Sequence, residues 1–119
     1  MSTARIVSGF DRQSSALEVV RGIDLHGKTA LITGGGSVIG YATACSLATA
    51  GAIVFIADVD VAGAQAAIAR FSAAAPNTRM RLLPLDLGSL AAVRGFANEF
   101  LQTVASLDIL VNNAGLMAC

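Results

Sequence analysis

From Leu25 onward, short unbroken apolar runs alternate with longer segments whose apolar residues recur at helical spacing. Thr29-Ala30-Leu31-Ile32-Thr33 and Ala52-Ile53-Val54-Phe55-Ile56-Ala57 are apolar on every face and rich in β-branched residues, the signature of strands buried on both sides. Met80 to Leu85 predicts a third strand and Asp108 to Asn112 a fourth. Between them, Ser37–Ala50 carries Ile39, Ala42, Cys45, Leu47 and Ala48 on a helical stripe and is stopped by Gly51. Val61–Ala75 places Ile68 and Phe71 on one face before Pro76-Asn77. Ser89–Ala105 has a stripe of Leu90, Val93, Phe96, Ala97, Phe100 and Leu101. The resulting order, β-α-β-α-β-α-β, predicts an α/β fold with a parallel sheet, right-handed crossovers and helices on both faces.

Residues 1–24 read as a polar lead-in before one structural domain over 25–119. Ser15-Ala16-Leu17-Glu18 has the spacing of a capping box and predicts a short helix through Val20. His26-Gly27-Lys28 reads as a turn into the first strand. His26 is read as standing alone, with no acidic or cysteine partner nearby, and so as a surface residue rather than a ligand.

Composition sharpens this picture. The chain is 55% hydrophobic and 13% charged, with a mean hydropathy of +0.68, against about 25% charged in an average soluble domain. No apolar stretch reaches the roughly 18 residues a membrane span needs, so buried parallel strands explain the hydropathy better. A net charge of zero and the lack of a basic stripe argue against a nucleic-acid partner. Residues 1–9 lack an apolar core and do not resemble a signal peptide. Cys45 and Cys119 have no metal-ligand spacing and read as a core residue and a terminal thiol. Together these features predict a cytoplasmic, reducing setting.

The candidate chemistry lies in Thr33-Gly34-Gly35-Gly36-Ser37-Val38-Ile39-Gly40, which closes the first strand and opens the first long helix. A helix start offers unpaired N–H groups and a partial positive charge to a pyrophosphate, and glycines let the backbone approach it closely. An ordinary tight turn is the alternative. Asp58, 18 residues after Gly40, ends the second strand, where an acidic side chain can accept from the adenosine ribose hydroxyls. Val59, Asp60 and Val61 follow it without a cation, which favours NAD over NADP.

These residues resemble the short-chain dehydrogenase/reductase family. Thr33-Gly34-x-x-x-Val38-x-Gly40 is similar to that family's glycine element, Asp86-Leu87 to its Asp-Leu pair beside the adenine, and Asn112-Asn113-Ala114-Gly115 to its Asn-Asn-Ala-Gly element. The lead-in and Asn112 to Cys119 are also similar to the branch that holds retinol dehydrogenases and WW-domain oxidoreductases. The resemblance implies a partial Rossmann fold with strand order 3-2-1-4. It implies a dinucleotide site drawn from Gly34, Gly36, Ser37, Val38, Ile39, Gly40, Asp58, Val59, Asp86, Leu87, Asn113, Ala114 and Gly115. Alcohol–ketone interconversion by hydride transfer is the implied chemistry.

Two departures from the family pattern stand out. Val38 occupies the position of the middle glycine, where a β-branched residue disfavours positive φ and crowds a pyrophosphate. The family's Tyr-x-x-x-Lys pair is missing: Tyr41 is the only tyrosine, Lys28 the only lysine, and position 45 is Cys45. The sequence therefore predicts no turnover by these residues alone and an open apolar edge at Ile109-Leu110-Val111, available to another chain. Three functions stay open: the cofactor-binding front of an NAD-dependent oxidoreductase, an inactive nucleotide-binding or interaction module, and a non-functional remnant.

Overall fold

A computed structural model describes residues 7–115, so Cys119 and most of the leader-peptide question lie outside the described residues. The elements are α1 (Ala16–Val20), β1 (Thr29–Thr33), α2 (Val38–Thr49), β2 (Ile53–Asp58), α3 (Val61–Ala74), β3 (Arg79–Pro84), α4 (Leu90–Thr103) and β4 (Ile109–Val111). All strands are parallel and lie in the order β3-β2-β1-β4. The partial Rossmann architecture expected from the sequence is present.

The helix boundaries shift because serine and aspartate caps stand outside the helices they start. Ser37, Asp60 and Ser89 each accept a hydrogen bond from the backbone N–H three residues on, at Gly40, Gly63 and Ala92. Ser15 does the same for α1 through Glu18. Asp108 stays out of β4 because its carboxylate turns back to accept the Thr29 N–H at 2.9 Å. This locks the start of β4 to the start of β1.

Alternation along the strands builds two apolar layers. Ala30 and Ile32, Val54 and Ile56, Met80 and Leu82, and Ile109 and Val111 face α2 and α3, where Ala44, Ala48 and Ile68 complete the core. Alanines on α2 let the helix backbone lie close to the sheet. Leu31, Phe55, Ala57, Leu83 and Leu85 face the other way, towards α4. There Phe100 meets Phe55 edge-to-face, with ring centroids 5.4 Å apart. β1 is buried at every residue, as its unbroken apolar run requires.

The expected apolar stripes are only partly used. Val93, Phe96 and Phe100 of α4 pack on the sheet, whereas Leu90, Ala97 and Leu101 are exposed. On α2, Cys45 and Ala48 are buried but Ile39 is exposed at the helix start. One sequence expectation is corrected. His26 is not without a partner, since Asp24, two residues earlier, accepts from its backbone N–H at 3.0 Å and meets its Nδ1. Both side chains are exposed, so His26 remains a surface turn residue.

Candidate dinucleotide-binding groove

The carboxyl ends of the four parallel strands converge on one edge of the sheet. A groove of about 610 Å³ runs there between the α2 start, the end of β2 and the segment after β4. It adjoins a second recess of about 400 Å³ that reaches the segment after β3. Gly34, Asp58, Val59, Ala114 and Gly115 line both. Gly36, Ser37, Val38, Ile39 and Asn113 line the first, and Asp86 and Leu87 the second. The crevice outside the strand ends is where open α/β sheets bind ligands.

The glycines around the turn are required for different reasons. Gly34 alone among them has a positive φ, +67°, and its N–H donates to the Ala57 carbonyl at 2.8 Å. Gly35 passes directly over Ile56, where a Cβ would sit 2.6 Å from the Ile56 Cγ2. Gly36 donates its N–H to Asp58 Oδ2 at 3.0 Å. A Cβ on Gly40 would strike the Gly34 carbonyl and lie 2.6 Å from Asn113 Nδ2. Gly40 therefore does not line the groove. It lets α2 close onto the turn that forms it.

Val38 is the first residue of α2, and no non-glycine residue among those described has a positive φ. The backbone objection to valine at this position is thereby overturned: the left-handed conformation falls at Gly34, four residues earlier. What remains is steric, because the Val38 side chain is 88% exposed and stands in the groove. Ser37 caps α2 by accepting from Gly40, and Tyr41 donates to the Ser37 carbonyl. The first-turn amides of Val38 and Ile39 are left without an intrahelical acceptor and can serve an anion.

Asn113 holds the groove together. Its side-chain amide donates to the carbonyls of Thr33 at 3.1 Å and Gly34 at 3.0 Å, and lies 3.2 Å from Ser37 Oγ. The Ala114 N–H donates to Thr33 Oγ1 at 3.2 Å. Asp58 accepts from Gly36 on one oxygen and from Asp60 N–H, at 2.9 Å, on the other. Asp86 Oδ1 accepts from Gly88 N–H at 2.9 Å and shapes the turn before α4.

Sequence reading missed the roles of Asp60 and Thr33. Asp60 lines the groove and caps α3. The signal was available, since an aspartate directly before an alanine-rich helical segment is a strong N-cap. Thr33 stood in the glycine element, but its contacts with Asn113 and Ala114 span about 80 residues of chain and carried no local signal. Tyr41 and Cys45 sit together on α2, away from the groove lining. Burial raises the Tyr41 pKa above its ordinary value, helped by the Cys45 thiol. Burial likewise pushes the Cys45 thiol up. Both stay protonated at neutral pH, and no group of three or more metal-ligating side chains occurs among the described residues.

The short chain dehydrogenase family profile matches residues 28–119. The chain belongs to that family. It is 44% identical over 119 residues to the WW domain-containing oxidoreductase of Drosophila melanogaster, covering 98% of this chain and 29% of that protein. Retinol dehydrogenase 12 of Bos taurus is 40% identical over 97 residues, 82% of this chain and 31% of the relative. The chloroplastic short-chain dehydrogenase TIC 32 A of Brassica napus is 41% identical over 112 residues, 94% of this chain and 35% of the relative. The chain thus spans about a third of the length of these relatives. Among solved structures, the Pseudomonas aeruginosa RhlG/NADP active-site complex superposes with a TM-score of 0.71 at 40% identity, covering 79% of this chain and 37% of the other. A metagenomic short-chain oxidoreductase in complex with NADP gives 0.71 at 34% identity, covering 77% and 41%. No described helix is long and apolar enough to cross a membrane.

Proposed function

We propose that this segment is the dinucleotide-binding portion of an NAD-dependent short-chain oxidoreductase. The observation that carries the reading is the groove itself. An open α2 N-terminus, the Gly34 turn and the Asp58 carboxylate border one cavity at the carboxyl ends of the strands.

The residues present fit such a cofactor. The Val38 and Ile39 amides and the α2 dipole suit its diphosphate. Asp58 suits the adenosine ribose hydroxyls, because a carboxylate with two hydrogen bonds still has lone pairs to offer. Val59 and Leu87, 69% and 47% exposed, suit the flat adenine as apolar surfaces. Asn113, Ala114 and Gly115 extend the site towards the nicotinamide end. The bound cofactor would supply the hydride acceptor or donor, and alcohol–ketone interconversion is the reaction proposed for the whole protein. Tyr41 and Lys28, the only residues of their types, do not form the family's Tyr-x-x-x-Lys pair. The 119 residues are therefore proposed to bind cofactor without turning over substrate.

NAD is preferred over NADP in this reading, although the two solved relatives named above are NADP complexes. The groove lining contains Asp58 and Asp60 and no lysine or arginine. A 2′-phosphate would meet two carboxylates and no cation, a like-charge repulsion at close range. Calorimetric titration with each cofactor tests this. NAD should bind more tightly, and Asp58→Asn should narrow the gap. Equal or tighter binding of NADP by the unaltered chain would sink the preference.

A second reading rests on Leu110, which is 54% exposed on the edge strand β4. An apolar strand edge of this kind is a template for pairing, and we propose that a further strand, of this protein or of another chain, covers it. In sedimentation measurements Leu110→Lys should shift associated material towards monomer. No change in the distribution would remove this reading. The cytoplasmic setting also stands as a proposal, resting on Cys45 being a buried free thiol.

A further inference from the structure

At the end of the sheet opposite the groove, the first residues of β1, β2 and β3 and the end of α4 border a separate cavity of about 540 Å³. Arg79 and Arg81 of β3 line it. They are two residues apart on a strand, so both side chains leave the same face, about 6.6 Å apart at the backbone. Their register partners on β2, Ile53 and Phe55, form an adjoining apolar wall together with Val104 after α4.

The charge of this cavity is one-sided. Its lining holds two guanidinium groups and no carboxylate, and among the described residues neither arginine forms an ion pair. Asp108 lies outside the lining and turns one carboxylate oxygen onto the Thr29 N–H. The Thr78 and Thr103 hydroxyls donate to the Ala75 and Glu99 carbonyls, so their protons are spent. The Ser72 hydroxyl, also in the lining, donates to no group among the described residues. Charged side chains on an edge strand can serve simply to discourage pairing. That role requires neither a cavity between the arginines and the α4 end nor an apolar wall beside the charge.

We propose that this cavity binds a small phosphate monoester. The Arg79 and Arg81 forks would hold the oxyanion, and the wall of Ile53, Phe55 and Val104 would receive a compact carbon body. Planar guanidinium groups match phosphate oxygens bidentately, which a solvated lysine does not. The site is independent of the dinucleotide groove, which lies at the other end of the same strands.

Amide-resolved NMR titration of the 119-residue chain with phenyl phosphate, against inorganic phosphate, tests the proposal. Saturable shifts are expected at Thr78–Arg81 and Thr103–Ala105, with phenyl phosphate binding at least about fivefold tighter than phosphate. Arg79→Gln/Arg81→Gln should weaken binding by about tenfold or more. Arg94→Gln removes one positive charge, half that of the pair, from an exposed α4 position outside the cavity and should leave affinity unchanged. Arg79→Lys/Arg81→Lys keeps the charge and the edge protection, and should still bind severalfold more weakly. Four results would each overturn the site: no saturable binding, shifts confined to Gly34–Gly40, equal losses in Arg94→Gln and the glutamine pair, or full affinity in the lysine pair.

Discussion

The side-chain amide of Asn113, two residues after β4, donates to the carbonyl of Gly34, the residue after β1, across 3.0 Å. The same amide reaches the Thr33 carbonyl, so one side chain fastens the last strand to the turn that opens the groove. Asn113→Ala removes a donor from the Thr33 carbonyl while the Gly34 carbonyl keeps the Ser37 N–H and hydroxyl, a cost of about 1 kcal/mol. Asn113→Asp puts negative charge against those carbonyls and should be worse. Chemical denaturation should rank the chain as Asn above Ala above Asp. An Asp variant as stable as the parent would show that the contact does not hold the turn.

Gly40 and Gly95 make a matched pair of helical glycines. A methyl group on Gly40 would strike the Gly34 carbonyl and crowd Asn113, so Gly40→Ala should lift α2 off the turn and lower both stability and cofactor affinity. Gly95 lies in the middle of α4 with nothing within 4 Å of an added Cβ. Gly95→Ala should stabilise the chain by about 0.5–1 kcal/mol, because alanine loses less backbone entropy in a helix. Thermal melts of the two variants should move in opposite directions. Movement in the same direction would contradict the packing described at Gly40.

Much of this was legible in the sequence because its signals are local. Buried strands showed as unbroken apolar runs at Thr29–Thr33 and Ala52–Ala57, and capping serines marked helix starts within a residue. The groove lining was legible because its residues follow strand ends, where the fold must deliver them to one edge. The non-local relations were hidden. Nothing near Gly35 announces that Ile56 lies beneath it, nor does anything near Asn113 point to Thr33. The positive-φ part of the Val38 expectation went astray for the same reason. Which residue of a glycine turn takes positive φ depends on how the turn sits against Ala57 and Ala114, contacts distant in the chain.

Val38 now has a purely steric argument. Its backbone is helical and unstrained, and its exposed side chain projects where a diphosphate would approach the α2 amides. Val38→Gly should tighten NAD binding by about threefold or more, ~0.7 kcal/mol. Removing a side chain that buries nothing should change stability little, apart from a small helix-propensity cost at the first position. Calorimetry decides the matter, with unchanged affinity sinking the steric argument.

Cys45 gives the fold a dependence on alkaline pH. Its thiol is buried in the α2 face of the core, and burial raises its folded pKa above the unfolded value. The folded state therefore holds this proton more tightly than the unfolded chain does. The associated stability is fully present below the unfolded thiol pKa, about 8.5, and is lost as pH rises through the folded value. Tyr41, raised mainly by burial, acts in the same direction, but only from about pH 10 upward. Between neutral pH and about pH 10 the melting temperature should fall, and Cys45→Ala should flatten that fall. The alanine variant loses little volume, so its neutral-pH stability gives a usable baseline. A parent and variant with parallel pH profiles would mean that the thiol ionises no less readily in the folded chain than in the unfolded one.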